Sequence, residues 1–239
     1  MESRGYALVT GAAHRVGRTL ALGAAKANYD VIVHYRSSKE QALSVCKEIE
    51  QLGKKAIALQ ADLQNSNEIN SLFKKTNEIG KVTALINSAA IFENLTWSNT
   101  TVESWERHLK INLTAPFLLS QLFVKNLENQ KGVIINISDW KANRPQKDHL
   151  PYIVSKGALD TLTASLAHSF APNVRVNGIA LGAILKPSDN NHNPNLLKSV
   201  PLNRWADLKE VEHTLIYLLN EATYVTGEII KLDGGRHLV

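Results

Sequence analysis

The sequence predicts an α/β protein: a single doubly wound domain over residues 1–239, built on a mostly parallel, seven-stranded sheet. Three observations predict this fold. Short apolar or β-branched runs alternate with longer helical patterns along most of the chain. Some runs, such as Val133-Ile134-Ile135, are continuously apolar, as expected of strands that helices cover on both faces. The first run ends in a glycine-containing turn that leads into a helical pattern.

The predicted strands are residues 6–10, 30–35, 55–60, 82–87, 132–138, 173–179 and 228–232. Helical periodicity fills most of the intervals, and the first helix is predicted to reach about Asn28. Three stretches break the pattern and are predicted loops: residues 91–101, 139–151 and 181–205. Because all three follow predicted strands, they should converge on one crevice beyond the carboxyl ends of the sheet.

Composition limits the classes of function. The chain is 44% hydrophobic and 21% charged, which is typical of soluble globular proteins. No apolar stretch reaches the roughly 18 residues of a membrane span, and the N-terminus lacks a signal-peptide pattern. The single cysteine, Cys46, fits a reducing, cytoplasmic compartment. The formal charge of +5 comes from scattered lysines and arginines, so neither nucleic acid nor a membrane is expected as a partner.

The first predicted strand runs into the segment Gly11-Ala-Ala-His-Arg-Val-Gly17, which has the features of a phosphate-binding turn. Gly11 permits a tight turn, and Gly17 permits close packing of helix on strand. The free N–H groups at the helix start would then bind a pyrophosphate. An ordinary tight connection between strand and helix would look the same, and this alternative stays open at this point.

The end of the second strand indicates which cofactor is bound. A protein that selects NAD places an acidic residue there to hold the ribose 2′-hydroxyl, whereas this chain has Tyr35-Arg36-Ser37-Ser38. Arg36 can bind a 2′-phosphate in a bidentate manner, Ser37 or Ser38 can donate a further hydrogen bond, and His14 can add a polar contact. The cofactor is therefore predicted to be NADPH; the alternative is that Arg36 is only a surface charge.

Tyr152 and Lys156 lie four residues apart in a strongly helical segment and so share one helix face. A nearby ammonium group favours the phenolate, so Lys156 is expected to lower the pKa of Tyr152 from about 10. Tyr152 would then be a general acid near neutral pH. This spacing often occurs by chance, and taken alone it favours a structural tyrosine over a catalytic one.

Five ordered motifs resemble the short-chain dehydrogenase/reductases over essentially the whole chain. They are Thr10-Gly11 to Gly17, Asn87-Ser-Ala-Ala90, Asn112, Tyr152 with Lys156, and Tyr224-Val-Thr-Gly227 to Asp233-Gly-Gly235. The resemblance implies a Rossmann-type fold, a small-molecule substrate and a homotetramer. It also implies that Asn112 anchors a water and that Lys156 holds the nicotinamide ribose. The implied cofactor contacts are Gly11, His14, Arg15, Gly17, Tyr35, Arg36, Ser37, Asp62, Leu63, Asn87, Ser88, Ala89, Tyr152, Lys156, Gly182 and Ile184.

The residue at the catalytic position thirteen residues before Tyr152 separates two branches of this family. Most members carry a serine thirteen residues before the tyrosine, and here that position is Asp139, with Ser138 adjacent. An aspartate there, together with Arg15 in place of a common glycine, resembles the pteridine reductase and dihydromonapterin reductase branch. By the same resemblance, the catalytic set is Asn112, Asp139, Tyr152 and Lys156.

The expected substrate is a dihydropterin-like ring. Phe92 matches an aromatic residue that stacks on the pterin in that branch, and Arg15, Asp139 and Tyr152 would be further substrate contacts. The alternative for Phe92 is core packing at a strand end. The rival function is a carbonyl reductase, in which Ser138 would orient the carbonyl. A third possible function is a sensor that binds NADPH without turnover. Ser88, Ala90, Leu181 and Lys186 depart from the common family pattern.

Overall fold

The structure is a computed structural model that describes residues 3–186 and 196–239. Its strands are β1 (Tyr6–Val9), β2 (Asp30–Tyr35), β3 (Ala56–Gln60), β4 (Val82–Asn87), β5 (Gly132–Asp139), β6 (Val174–Leu181) and β7 (Ile229–Leu232). They form one seven-stranded sheet in the order β3-β2-β1-β4-β5-β6-β7, and every neighbouring pair is parallel. The α/β fold is confirmed. The order reverses between β1 and β4, where a crevice opens in folds of this class.

Helices cover both faces of the sheet. They are α1 (Arg15–Lys26), α2 (Lys39–Gln51), α3 (Ser66–Ile79), α4 (Val102–Leu109), α5 (Ala115–Asn126), α6 (Leu150–Phe170) and α7 (Leu208–Asn220). Helices α1, α2 and α7 pack on one face, and α3, α5 and α6 on the other. Successive strand side chains alternate between the two cores, as Leu8 does with Ala7 and Val9. No helix among the described residues is long and apolar enough to span a bilayer.

The predicted elements differ from the observed ones mainly at their ends. Strand β5 extends to Asp139, one residue beyond the predicted run, so Asp139 ends a strand instead of starting a loop. Its pairing partner is Leu181, to which β6 is also extended. Pro151 belongs to the first turn of α6, where a missing N–H costs nothing. Of the predicted loop at residues 181–205, residues 187–195 lie outside the described part of the chain.

Candidate active site

The predicted loops converge on one crevice of about 950 Å³ at the carboxyl ends of the strands. Fifteen of the predicted site residues line it: Gly11, His14, Arg15, Gly17, Arg36, Asp62, Leu63, Ser88, Ala89, Phe92, Asp139, Tyr152, Lys156, Gly182 and Ile184. The other four, Tyr35, Ser37, Asn87 and Asn112, lie outside this lining. Residues far apart in the sequence therefore meet at one place.

The turn after β1 leaves no room for side chains at its two glycines. Gly11 has a φ of +63°, and a Cβ there would lie 2.9 Å from Ala89 Cα. A Cβ on Gly17 would lie 2.1 Å from the carbonyl oxygen of Gly11. Thr10 Oγ1 accepts hydrogen bonds from the N–H groups of Ser88 and Ala89, at 2.9 and 3.0 Å. The turns after β1 and β4 are thus held together at the switch point.

The start of α1 faces this crevice with its backbone donors open. His14 is the N-cap residue and makes no side-chain capping bond. Arg15, with a φ of +48°, reaches across the crevice and donates to the carbonyl oxygen of Lys186 at 3.0 Å. A helix N-terminus with uncapped N–H groups and a positive dipole end suits a pyrophosphate.

His34, which the sequence analysis did not assign to the site, supports the same turn. Its Nδ1 accepts a hydrogen bond from Gly11 N–H at 3.1 Å, and its Nε2 lies 3.1 Å from the carbonyl oxygen of Ala61. Burial lowers the pKa of His34 to about 4, so the imidazole is neutral and Nε2 carries the proton. A histidine inside the otherwise apolar β2 run was the signal that could have identified it.

Arg36 follows β2 and lines the crevice with an exposed guanidinium that makes no ion pair with another described residue. No acidic residue ends this strand. Asp62, after β3, uses one carboxylate oxygen to accept from the N–H of Gln64 at 2.9 Å. Tyr35 packs against the core, and Ser37 is exposed outside the lining. The cationic side chain that the sequence singled out at the end of β2 therefore lies at the crevice.

The hydroxyl of Tyr152 donates a hydrogen bond to Asp139 Oδ2 at 2.9 Å. The other carboxylate oxygen, Oδ1, accepts from the N–H of Lys141 at 2.9 Å. Ser138 instead places its hydroxyl beside Asp160, and Ser138 Oγ completes no hydrogen bond among the described residues. Both residues line the crevice, and the hydrogen bond from Tyr152 separates the two candidates. Asp139, and not Ser138, is the neighbour of the Tyr152 hydroxyl.

The expectation that Lys156 lowers the pKa of Tyr152 is wrong for this site. Burial, followed by the charge of Asp139, raises the pKa of Tyr152 well above 10. Lys156 Nζ donates to the carbonyl oxygen of Ile137 at 2.6 Å and lies 5.7 Å from the Tyr152 ring centroid. Burial lowers the pKa of Lys156 to about 8 and raises that of Asp139. Desolvation therefore disfavours the charged form of all three groups.

Asn112 lies behind the crevice wall on a short π-helical turn, Lys110–Thr114, between α4 and α5. Its Oδ1 accepts from Ile91 N–H at 3.0 Å, and its Nδ2 donates to Ile91 O at 3.1 Å and to Ser155 Oγ at 3.0 Å. Asn87 is likewise buried, and its Nδ2 donates to Asn136 Oδ1 at 2.8 Å. Asn112 therefore fixes the backbone at Ile91, whereas Asn87 links β4 to β5 through the side chain of Asn136.

Phe92 forms part of the crevice wall beside Tyr152. Its ring packs edge to face with the Tyr152 ring at 4.6 Å between centroids. One face of Phe92 is stacked on His149 at 3.9 Å with an interplanar angle of 19°, a contact that sequence reasoning missed. Phe92 is still 56% exposed, and Lys141 Nζ lies 5.8 Å from its ring centroid. His149 had no sequence signal, because it precedes α6 in a predicted loop.

The C-terminal segment also reaches the crevice, which the sequence analysis did not foresee. The guanidinium carbon of Arg236 lies 4.0 Å from the ring centroid of Trp140, the residue after Asp139. Both residues line the crevice. Local patterns could not have paired them, because the contact joins segments almost a hundred positions apart in the sequence.

Comparison with known proteins gives matches over nearly the whole chain. The family described as enoyl-(acyl carrier protein) reductase matches residues 11–237. An L-xylulose reductase of Caenorhabditis elegans is 32% identical over 238 residues, 95% of this chain and 94% of that protein. A 3-oxoacyl-(acyl-carrier-protein) reductase of Synechocystis is 32% identical over 235 residues, 96% and 95% of the two chains. The structure of FolM alternative dihydrofolate reductase 1 from Brucella canis, complexed with NADP, is 32% identical with a TM-score of 0.90, and covers 99% of this chain and 95% of that one.

Proposed function

This chain belongs to the short-chain dehydrogenase/reductase family and is an NAD(P)-dependent reductase, and we propose that it uses NADPH to reduce a dihydropterin-like substrate. The observation that carries the proposal is the hydrogen bond from the Tyr152 hydroxyl to Asp139 Oδ2. The Brucella FolM protein, similar over the whole chain, supports the same substrate class. The proposal makes this protein a relative of the pteridine and dihydromonapterin reductases.

The described residues fit NADPH. A Cβ at Gly11 or Gly17 would collide with neighbouring backbone, so the two glycines let the backbone of this turn lie close to the crevice. No side-chain hydrogen bond caps the start of α1. These features suit the pyrophosphate, Arg36 suits the 2′-phosphate, and Lys156 suits the nicotinamide ribose. When bound, the cofactor supplies the hydride.

Asp139 favours a pterin over a simple ketone. A ketone oxygen needs a hydrogen-bond donor as negative charge develops on it, whereas an ionised carboxylate only accepts and would repel that charge. A pterin presents amino and ring N–H donors along one edge, which a carboxylate can accept. Phe92, which is 56% exposed and lines the crevice, can stack on the flat ring.

The proton required at the ring nitrogen can come from the same pair. Reduction of an imine bond adds hydride to carbon and a proton to the adjacent nitrogen. Tyr152 keeps its proton at neutral pH because burial and Asp139 raise its pKa. Asp139, whose own pKa is raised by burial, can relay a replacement proton to Tyr152 or through a water. Lys156 and Asn112 hold the surrounding geometry.

A substrate panel tests the proposal directly. Purified protein and NADPH are combined with dihydrobiopterin, dihydromonapterin, dihydrofolate, biopterin and a series of ketones and 3-oxoacyl thioesters, and the loss of nicotinamide absorbance is followed. Turnover of the reduced pterins with little turnover of the carbonyl compounds is expected. Turnover of carbonyl compounds alone would replace the proposal with the carbonyl-reductase function.

A further inference from the structure

Arg236 is held at the crevice by the turn that follows β7. The buried carboxylate of Asp233 accepts hydrogen bonds from the N–H groups of Gly235 and His237, at 3.0 and 2.8 Å, and lies 2.8 Å from His237 Nδ1. This turns the chain into a short 3-10 helix, Arg236–Leu238. The guanidinium then lies over Trp140, which is itself buried. The position of Arg236 is therefore built by several interactions.

Arg236 differs from most other cations of the crevice in having no acceptor. Lys141 pairs with Asp148 at 2.8 Å, while Arg15 and Lys156 donate to backbone carbonyl groups. The Arg236 side chain makes no hydrogen bond or ion pair within residues 3–186 and 196–239, and its Nε is buried without an acceptor there, although the charges of Asp139, Asp148 and Asp233 act on it at longer range. Since buried polar groups are normally paired, this donor edge is available to a ligand.

Arg236 is too far from Arg36 to serve the same phosphate. Arg36 follows β2 and Arg236 follows β7, and five strand spacings separate these strands in the sheet. At about 4.8 Å per spacing, the two strand ends are roughly 24 Å apart. By contrast, Arg236 contacts Trp140, the residue next to Asp139. Arg236 thus belongs to the substrate end of the crevice.

We propose that Arg236, supported by Trp140, binds a carboxylate or phosphate group on the substrate and so selects a reducible ring that carries an anionic tail. A planar guanidinium binds either oxyanion through two parallel hydrogen bonds. The contact of the Arg236 guanidinium with the indole ring does not use its N–H groups. Arg236 is a specificity-determining residue in this proposal. The identity of the ring as a dihydropterin rests on the proposed function, whereas the anion contact does not.

Binding to the NADP⁺-saturated protein tests the proposal, because the cofactor then fills the Arg36 end. Calorimetry compares dihydrobiopterin, which has a neutral tail, with dihydrofolate and with dihydroneopterin 3′-phosphate. A pair without the pterin ring, 4-aminobenzoyl-glutamate and its diamide, isolates the carboxylate. The variants are Arg236→Gln, Arg236→Lys and, as a control, Arg144→Gln, which removes an exposed arginine of the neighbouring loop that does not line the crevice.

The unmodified protein should bind at least one anionic ligand about tenfold more tightly than its neutral counterpart, and Arg236→Gln should weaken that ligand by about ten- to a hundredfold. Neutral ligands should change by less than about threefold, Arg236→Lys should restore part of the loss, and Arg144→Gln should have no effect. Whether the carboxylate or the phosphate ligand loses affinity identifies the tail.

Equal losses for charged and neutral ligands, no loss, or the same loss in Arg144→Gln would overturn the proposal. So would an unmodified protein that does not prefer the anionic ligands. If the proposed pterin function fails instead, the pterins will not bind, but the pair without the pterin ring will still be distinguished through Arg236. The two failures can therefore be told apart.

Discussion

His34 Nδ1 accepts a hydrogen bond from the backbone N–H of Gly11 at 3.1 Å, and one buried imidazole thereby fixes the turn that leads into α1. On its other side, Nε2 donates to the carbonyl oxygen of Ala61, so the carboxyl ends of β1, β2 and β3 are joined. Protonation of the imidazole would place a proton on Nδ1, which would then face the Gly11 N–H and could no longer accept its hydrogen bond. The neutral state is therefore part of the geometry of the site.

This relationship predicts a stability that depends on pH. The pKa of His34 is about 4 in the folded protein and about 6.5 in the unfolded chain. The contribution of neutral His34 to the free energy of unfolding is therefore complete above pH 6.5 and is lost as the pH falls toward 4. At pH 4 the loss should be roughly 3 kcal/mol. Urea unfolding of the unmodified protein and His34→Gln between pH 7.5 and 4 measures it. The variant should lose distinctly less stability, and equal losses in the two proteins would contradict the assignment.

Arg36→Asp should reverse the preference between the two nicotinamide cofactors. The change removes a bidentate contact to the 2′-phosphate and adds an acceptor for the ribose hydroxyl. NADPH affinity should fall by about ten- to a hundredfold, while NADH affinity rises. Fluorescence titration with both cofactors measures this, with Arg144→Asp as the control for a lost surface charge. Equal binding of both cofactors by the unmodified protein would contradict the proposed role of Arg36.

Tyr152→Phe should nearly abolish turnover while NADPH still binds. The substitution removes only the hydroxyl that donates to Asp139, and a general acid contributes about a hundred- to ten-thousandfold to rate. Single-turnover kinetics and a cofactor titration on the same preparation separate the two effects. Lys156→Ala, which removes a buried donor, should weaken both. More than half of the normal rate in Tyr152→Phe would exclude the catalytic role.

Much of the fold was predictable, because parallel strands covered on both faces leave continuous apolar runs. Strands β2 and β4 have the predicted bounds, since polar or turn residues end each run sharply. Strand β5 extends through Asp139 because its pairing with Leu181 outweighs the low strand propensity of aspartate. Tertiary pairing, which local sequence does not encode, decided that boundary.

The site was predictable where its residues lie directly after strands or on one helix face. Tyr152 and Lys156 are of this kind. The stack of His149 on Phe92 and the contact of Arg236 with Trp140 are not, because each joins segments that meet only when the sheet has formed. The direction of the Tyr152 pKa was also missed, since spacing says nothing about how deeply a hydroxyl is buried.

Phe92→Ala should raise KM for a dihydropterin and leave kcat nearly unchanged. The ring loses its stacking surface, while Tyr152 and Asp139 remain in place. An aromatic stacking contact corresponds to about two- to tenfold in affinity. Steady-state kinetics measures the change, with Trp97→Ala as the control, because Trp97 is an exposed aromatic of the same loop outside the crevice. A fall in kcat with constant KM would indicate that Phe92 acts on Tyr152 instead.

Asp139→Ser tests the substrate class itself. A serine hydroxyl can orient a carbonyl oxygen, but it cannot replace a carboxylate that accepts from the Tyr152 hydroxyl and whose pKa burial raises. Dihydropterin reduction should fall by at least about tenfold with little change in NADPH affinity, a loss of transition-state stabilisation rather than of cofactor binding. Asp160→Asn is the matched control, because Asp160 is a nearby carboxylate without a hydrogen bond to Tyr152, and it should cost much less. Full pterin activity in Asp139→Ser would remove the argument against a carbonyl substrate, because the hydroxyl would then suffice for both chemistries.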